Sequence, residues 1–378
     1  MDAVLIVVGV ILILAGVFDL FMTVLYYDAA GPLSLRMYRI VWGICRRAAS
    51  RVPPQHTAFT LSLGVPLMVL ASLVAWIALQ VFGFALLYYV GLQHGSFRLS
   101  EGLEPNAVEA LYLSGISLSG LGYGDLAPIT APFQVVAGIQ ALVGYGFLTI
   151  AIAYVVNVYK VIEEMGVLSS DIYHESERTY DARHILEVHF HQGQPRDLRG
   201  RLNNFYSSMI SHHEGMRHYP VVYYFYSRRG YAALPYRFGL IGRVIAALRW
   251  GLPTGHPVPE EPWLRALKSA FESITDEMVE RFMDVKSLEP SDKPVSRETF
   301  VDALAKGKSS DMLVSRFLEL LDFMETLTED RQHRDPDEVY DRYRQWVPFI
   351  SRVDHFLDAI INHLSPYRSG IPGSSHSH

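Results

Sequence analysis

Three long stretches almost free of charged side chains decide what this chain can fold into. Val4 to Tyr27 carries a single charge, Asp19, while Val52 to Phe97 and Leu126 to Tyr159 carry none. Each exceeds the roughly 20 residues that a helix needs to cross about 30 Å of hydrocarbon. A bilayer core offers no water to backbone N–H and C=O groups, so stretches of this kind are expected to cross as α-helices. The first stretch is expected to be retained rather than cleaved as a leader, because MDAVLIV has no basic residue ahead of the apolar run and the run is too long.

Charge between the stretches sets the orientation. Asp28 to His56 holds Arg36, Arg39, Arg46, Arg47 and Arg51 against one acid, whereas Leu92 to Asp125 holds Arg98 against Glu101, Glu104, Glu109 and Asp125. Basic loops stay in the cytoplasm, so the first loop is expected inside, and the second loop and the N-terminus outside. Everything after about Lys160 is then cytoplasmic, in a multi-pass protein of the plasma membrane, or the inner membrane of a bacterium. The first 165 residues hold only 7 of the 33 Lys and Arg, so the remainder reads as a soluble domain. The single cysteine, Cys45, excludes a disulfide within the chain.

Between the second and third stretches, Asn106 to Ser119 reads as a helix of about 21 Å at 1.5 Å per residue, too short to cross. Pro105 and Asn106 supply its start. It runs into the string GLGYGD, and a short apolar helix followed by Gly-rich backbone between two spans is the pattern of a re-entrant segment. Alternating glycines let successive carbonyls point the same way, which a ring of oxygens around a dehydrated cation requires. The helix aims its partially negative C-terminal end toward the same place.

The run SLSGLGYGDLAP, residues 117–128, resembles the filter signature of tetrameric potassium channels, T-x-T-T-V-G-Y-G-D. Ser117 and Ser119 stand where pore-helix Thr residues occur, Leu121 stands for Val, and Gly122, Tyr123, Gly124 and Asp125 are identical. The resemblance covers residues 57–162. It implies ion binding by the carbonyls of Gly120, Leu121, Gly122, Tyr123 and Gly124. It further implies filter support by Asp125, Ser119, Ser117 and Tyr112, the last where the family often has a Trp, and a gating hinge at Gly144. One filter strand per chain implies three identical subunits as partners. No cofactor or metal is implied beyond the permeant potassium ion. A second Gly-Tyr-Gly, Gly144 to Gly146, lies in mid-span with no re-entrant helix before it and reads as a close-packing or flexible point.

The chain departs from the signature at Gly120, where the family has a Thr whose hydroxyl helps to build the innermost ion site. Loss of four hydroxyls in a tetramer is expected to narrow the preference for potassium over sodium, and Gly120→Thr to widen it. A weakly selective cation channel and a non-conducting membrane sensor or scaffold are the competing readings.

Asp19 is an intramembrane acid, read either as a hydrogen-bonding anchor for the first helix or as a proton- or voltage-responsive site. After residue 165 the chain is expected to be helical, with apolar stripes at Leu313, Phe317, Leu320, Met324 and Leu327 and at Trp346, Ile350, Val353, Leu357, Ile360 and Leu364. His189, His191, His212 and His213 match no metal-site spacing and are expected at the surface. Arg228, Arg229, Arg237, Arg243 and Arg249 interleave with tyrosines and suit either anionic lipid or the rim of an aromatic core. The domain is net acidic, which disfavours nucleic acid. No P-loop, GxGxxG or assembled nucleophile and base points to catalysis.

The expected architecture is an all-α membrane protein with three transmembrane helices, a re-entrant pore helix and filter, and a helical cytoplasmic domain. Residues 1–56 hold the first helix and a basic linker, 57–165 the pore unit, 166–368 the cytoplasmic domain and 369–378 a disordered tail.

Overall fold

A computed structural model describes residues 1–178, 181–228, 234–283, 292–330 and 335–364. Among the described residues the chain is all-α, with two short ribbons, and three helical stretches are long and apolar enough to cross a membrane: Asp2–Val24, Pro54–Gln93 and Ala131–Glu175. The first is α1. The second divides into α3 (Pro54–Ser62) and α4 (Gly64–Gln93), and the third is α6, 45 residues without a break. At 1.5 Å per residue α6 is about 68 Å long, far more than a bilayer needs, and it continues past Lys160 to Glu175. The basic linker is itself a helix, α2 (Pro32–Ala49), and the short apolar helix is α5 (Ala107–Ser119).

Two compact units arise, and they do not follow chain order. The first comprises Met1–Cys45, Leu63–Ile162 and Gly215–Tyr224; the second comprises Arg46–Ser62, Glu163–Glu214 and Phe225–His378. In the first, α1 lies along α4 at a close crossing: a Cβ on Gly9 would stand 2.6 Å from the Gly83 carbonyl oxygen, and one on Gly83 2.9 Å from that of Gly9. Small residues replace the missing hydrophobic drive between helices in lipid by letting backbones touch. Gln80 adds a side-chain amide bond to the Ile13 carbonyl at 3.1 Å.

Asp19 anchors α1 to α2 and α4. Its carboxylate accepts from the Leu33 N–H (2.8 Å), the Ser34 N–H (3.2 Å) and hydroxyl (2.6 Å), and the Trp76 indole N–H (2.9 Å). Leu33 and Ser34 belong to the first turn of α2, whose N–H groups have no partner within the helix, so Asp19 caps α2 from another element. The buried face of α2, Ser34, Tyr38, Trp42, Cys45 and Ala49, leaves Arg36, Arg39 and Arg47 exposed opposite it.

A second core holds α5. Phe84, Tyr88 and Leu92 of α4 pack on Ala110, Leu113 and Ile116 of α5, closed at one end by Phe97 and Leu126. Those two residues lie in β1 (Phe97–Leu99) and β2 (Leu126–Pro128), an antiparallel ribbon in register Phe97↔Pro128 and Leu99↔Leu126. The ribbon ties the two ends of the loop that carries α5.

The second unit is helical: α7 (Ala182–His189), most of α8 (Leu198–His218), α9 (Leu234–Ala246), α10 (Pro262–Phe282), α11 (Arg297–Lys306), α12 (Met312–Thr328) and α13 (Pro336–Leu364). A small ribbon of β3 (Phe190–His191) and β4 (Gln194–Pro195) follows α7. Phe238, Phe271, Phe349 and Phe356 meet in its core at centroid distances of 5.3–6.0 Å. The stripe expected on α13 is buried as a whole, from Trp346 to Leu364.

Three expectations need correction here. The α12 stripe is rotated: Val314, Phe317, Leu318, Leu321 and Met324 are buried, while Leu313, Leu320 and Leu327 are only half-buried. His212 and His213 are buried rather than at the surface. His189, half-buried, pairs with Glu175 at 2.5 Å, and His191 is exposed. The arginines do not form one lipid-facing row. Arg237 is 3% exposed, with Nη1 on the Met165 carbonyl (3.2 Å) and on His212 Nδ1 (3.3 Å), and Arg249 is engaged by the Pro259 carbonyl and Glu260. Arg243 is half-buried and Arg228 exposed, its guanidinium 5.6 Å from the Phe59 ring. Burial of Leu234 through Ala246 apart from Arg243 makes this segment core. Arg229, Tyr231 and the tail 369–378 lie outside the described residues.

Candidate functional site

Helix α5 delivers the Gly-rich string to one place, and both of its ends are written in sequence. Asn106 takes extended backbone and its side chain accepts from the Val108 and Glu109 N–H groups at 2.9 and 3.0 Å. At the other end Gly120 adopts the left-handed conformation, φ 74°, and the Leu121 N–H returns to the Ile116 carbonyl at 3.1 Å. This closing geometry strongly favours glycine.

Beyond the cap the handedness alternates. Gly120, Gly122 and Gly124 have φ of 74°, 51° and 82°, while Leu121 and Tyr123 do not enter positive φ. Alternation of left- and right-handed residues turns successive peptide planes so that neighbouring carbonyls share a side, an arrangement that an all-right-handed strand cannot reach. The side chains of Leu121 and Tyr123 are exposed in a single chain.

Asp125 pins the C-terminal end of the string. Its Oδ2 accepts from the Tyr112 hydroxyl at 2.7 Å, its Oδ1 from the Leu126 N–H at 3.1 Å, and its carbonyl from the Ser100 N–H at 2.9 Å. Tyr112 sits on α5, so one hydrogen bond joins the helix before the string to the residue after it. Ser119 bonds back to the Ile116 carbonyl at 3.0 Å, within its own helix, and Ser117 is half-buried on the same turn.

Behind α5 lies a polar node that the sequence patterns did not single out. Gln140 of α6 donates to the Ser114 carbonyl and hydroxyl, both at 2.9 Å, and accepts from the Tyr88 hydroxyl at 2.6 Å; the Ser114 hydroxyl donates to the Val81 carbonyl at 2.8 Å. Tyr88, Ser114 and Gln140 are fully buried. Inside a hydrocarbon layer such bonds have no competing water, and the node fixes α4, α5 and α6 to one another. A glutamine in the middle of a charge-free span was the available signal.

Gly144 lies where α6 crosses the last turn of α5. A Cβ there would overlap the Leu118 carbonyl, and α6 passes through the position without a break. Next to it, the Tyr145 side chain reaches the Gly120 turn: a Cβ on Gly120 would stand 2.6 Å from the Tyr145 hydroxyl. Thus Tyr112, Ser117, Ser119, Gly120 to Asp125 and Gly144 converge, and Asp19 belongs to the α1–α2–α4 anchor instead.

Residues 72–161, which contain the whole of this site, match the family model described as an ion channel. An uncharacterised membrane protein of Bacillus subtilis is 21% identical over 315 residues, covering 80% of this chain and 86% of that protein. A two-pore potassium channel of Arabidopsis thaliana is 36% identical over 70 residues, which is 18% of this chain and 17% of that protein. No solved structure matches. Together with the apolar spans, these matches describe an all-α membrane protein whose residues 72–161 are similar to an ion channel domain.

Proposed function

We propose that the chain is one subunit of a homotetrameric potassium channel that conducts through the backbone carbonyls of Gly120, Leu121, Gly122, Tyr123 and Gly124. The observation that carries this reading is the alternation of positive φ at Gly120, Gly122 and Gly124. Such alternation suits a strand of like-facing carbonyls, and such groups are costly in a bilayer unless other copies and an ion complete their coordination. Asp125, held by Tyr112, braces the outer mouth, and the exposed Leu121 and Tyr123 side chains become covered by neighbouring copies. The arginines on the exposed face of α2, set against Glu101, Glu104, Glu109 and Asp125, favour a cytoplasmic side at α2 and an outer side at the filter. Helix α6 continues unbroken to Glu175, so the C-terminal residues have a direct mechanical route to the pore and are suited to set its open probability. Gly120, which offers no hydroxyl, favours a second reading in which the same pore discriminates weakly between potassium and sodium.

Purified protein in potassium-loaded liposomes tests the proposal. Potassium efflux from protein of tetrameric mass is expected, together with its loss in Gly122→Val, which forces a β-branched side chain into positive φ. Efflux that survives this substitution, or a monomeric conducting species, would refute the carbonyl pathway.

A further inference from the structure

The inner end of the carbonyl strand is where the chain puts a hydroxyl that none of the site's other bonds uses. Gly120 ends α5 with no side chain, and the space its Cβ would occupy is taken by Tyr145: hydroxyl at 2.6 Å, Cζ at 3.1 Å and Cε2 at 3.7 Å from that point. This approach is possible because the preceding residue, Gly144, lets α6 meet the Leu118 carbonyl without a side chain between them. Tyr145 is 60% exposed in a single chain, on the same α6 face as Leu142, Leu148, Ile152 and Val156. Among the described residues no group hydrogen-bonds its hydroxyl. The carbonyl-rich C-terminal end of α5 carries partial negative charge at this point. A monovalent cation that leaves water here needs oxygen ligands beyond the carbonyls, and a phenol oxygen offers a lone pair without adding a charge.

We propose that Tyr145 is a selectivity-determining residue, its hydroxyl supplying the oxygen ligand at the inner end of the filter that Gly120 lacks. The proposal rests on the carbonyl pathway given above. The hydroxyl comes from the inner helix rather than from the filter strand, so ion binding at this end is tied to the position of α6.

The test is Tyr145→Phe in the full-length protein, which keeps the ring and removes only the oxygen. In planar bilayers the potassium-to-sodium permeability ratio is expected to fall roughly three- to tenfold, the scale of losing one polar contact of ordinary strength. In detergent, the rise in melting temperature on replacing N-methyl-D-glucamine by potassium is expected to shrink, and this readout does not depend on current. Tyr159→Phe, which removes a hydroxyl farther along α6, is expected to change neither. A Tyr145→Phe protein with the starting permeability ratio and the starting potassium-dependent stabilisation would overturn the assignment while leaving the carbonyl pathway intact. A starting protein that passes no current and gains no stability from potassium would overturn both.

Discussion

A threonine at position 120 would have to take up φ near 74° and push its β-carbon into the Tyr145 hydroxyl. The signature alone makes Gly120→Thr a repair, since it restores a hydroxyl; the backbone makes it a strain, because a β-branched residue at positive φ costs roughly 1–3 kcal/mol per subunit. The expected result is therefore a less heat-stable protein with no gain in potassium preference, read from melting curves and reversal potentials of the two proteins. A gain in preference at unchanged stability would return Gly120 to the role of a missing ligand. Tyr112 offers a milder change at the other end of the string. Tyr112→Phe removes the 2.7 Å bond to Asp125 while keeping the ring, and a hydrogen bond to a charged group is worth about 1.5–3 kcal/mol. Single-channel records are expected to show conducting periods shortened roughly tenfold or more with unit conductance unchanged; unaltered dwell times would mean that Asp125 is held well enough by the Leu126 and Ser100 N–H groups.

Among the elements, the crossing of α5 and α6 decides how Gly144 is to be understood. As a hinge, Gly144→Ala lowers open probability and leaves selectivity alone. As a contact, it drives α6 from the Leu118 carbonyl, one residue before Ser119 and two before Gly120, so that open probability and the potassium-to-sodium ratio fall together. The contact favours the second outcome; a change confined to gating would restore the hinge. In the second unit, α8 and α9 hold His212 beside Arg237, and burial first, then the guanidinium, pushes the imidazole pKa down to about 3. The folded chain keeps His212 neutral while the unfolded chain protonates near pH 6.5. Stability from this site is thus whole above about pH 6.5 and falls toward pH 3, at about 1.4 kcal/mol per pH unit where only the unfolded chain binds the proton. His212→Gln is expected to flatten urea-unfolding midpoints between pH 6.5 and 4.5; an unchanged slope would place the acid sensitivity elsewhere. Sequence patterns gave the wrong address for this histidine because adjacent His212 and His213 look like a solvated pair, and their burial depends on packing against α9 and α10, which no spacing within α8 reveals.

On the scale of the whole molecule, the spans and the candidate site were legible in the chain for different reasons. Stretches nearly free of charge and long enough to cross a bilayer announce α1, α4 and α6 directly, and Asn106 and Gly120 bracket α5 by helix-end chemistry that operates within a few residues. The alternating glycines show where the backbone changes hand. What the sequence did not reveal depends on residues far apart in the chain meeting through tertiary packing: Gln140 reaching Ser114 and Tyr88, Asp19 capping α2, Tyr145 filling the space beside Gly120. The rotated α12 stripe has the same origin, since Val314 and Leu318 lie one position from the expected positions and only the neighbouring helices choose between the two faces. The central claim is that the carbonyls of Gly120 to Gly124 form a cation pathway. Its most direct test is the reversal potential of the purified protein in a planar bilayer with potassium on one side and sodium on the other. A current that reverses on the side favouring potassium is predicted; absence of current, or reversal at zero potential, would contradict a potassium-selective pore.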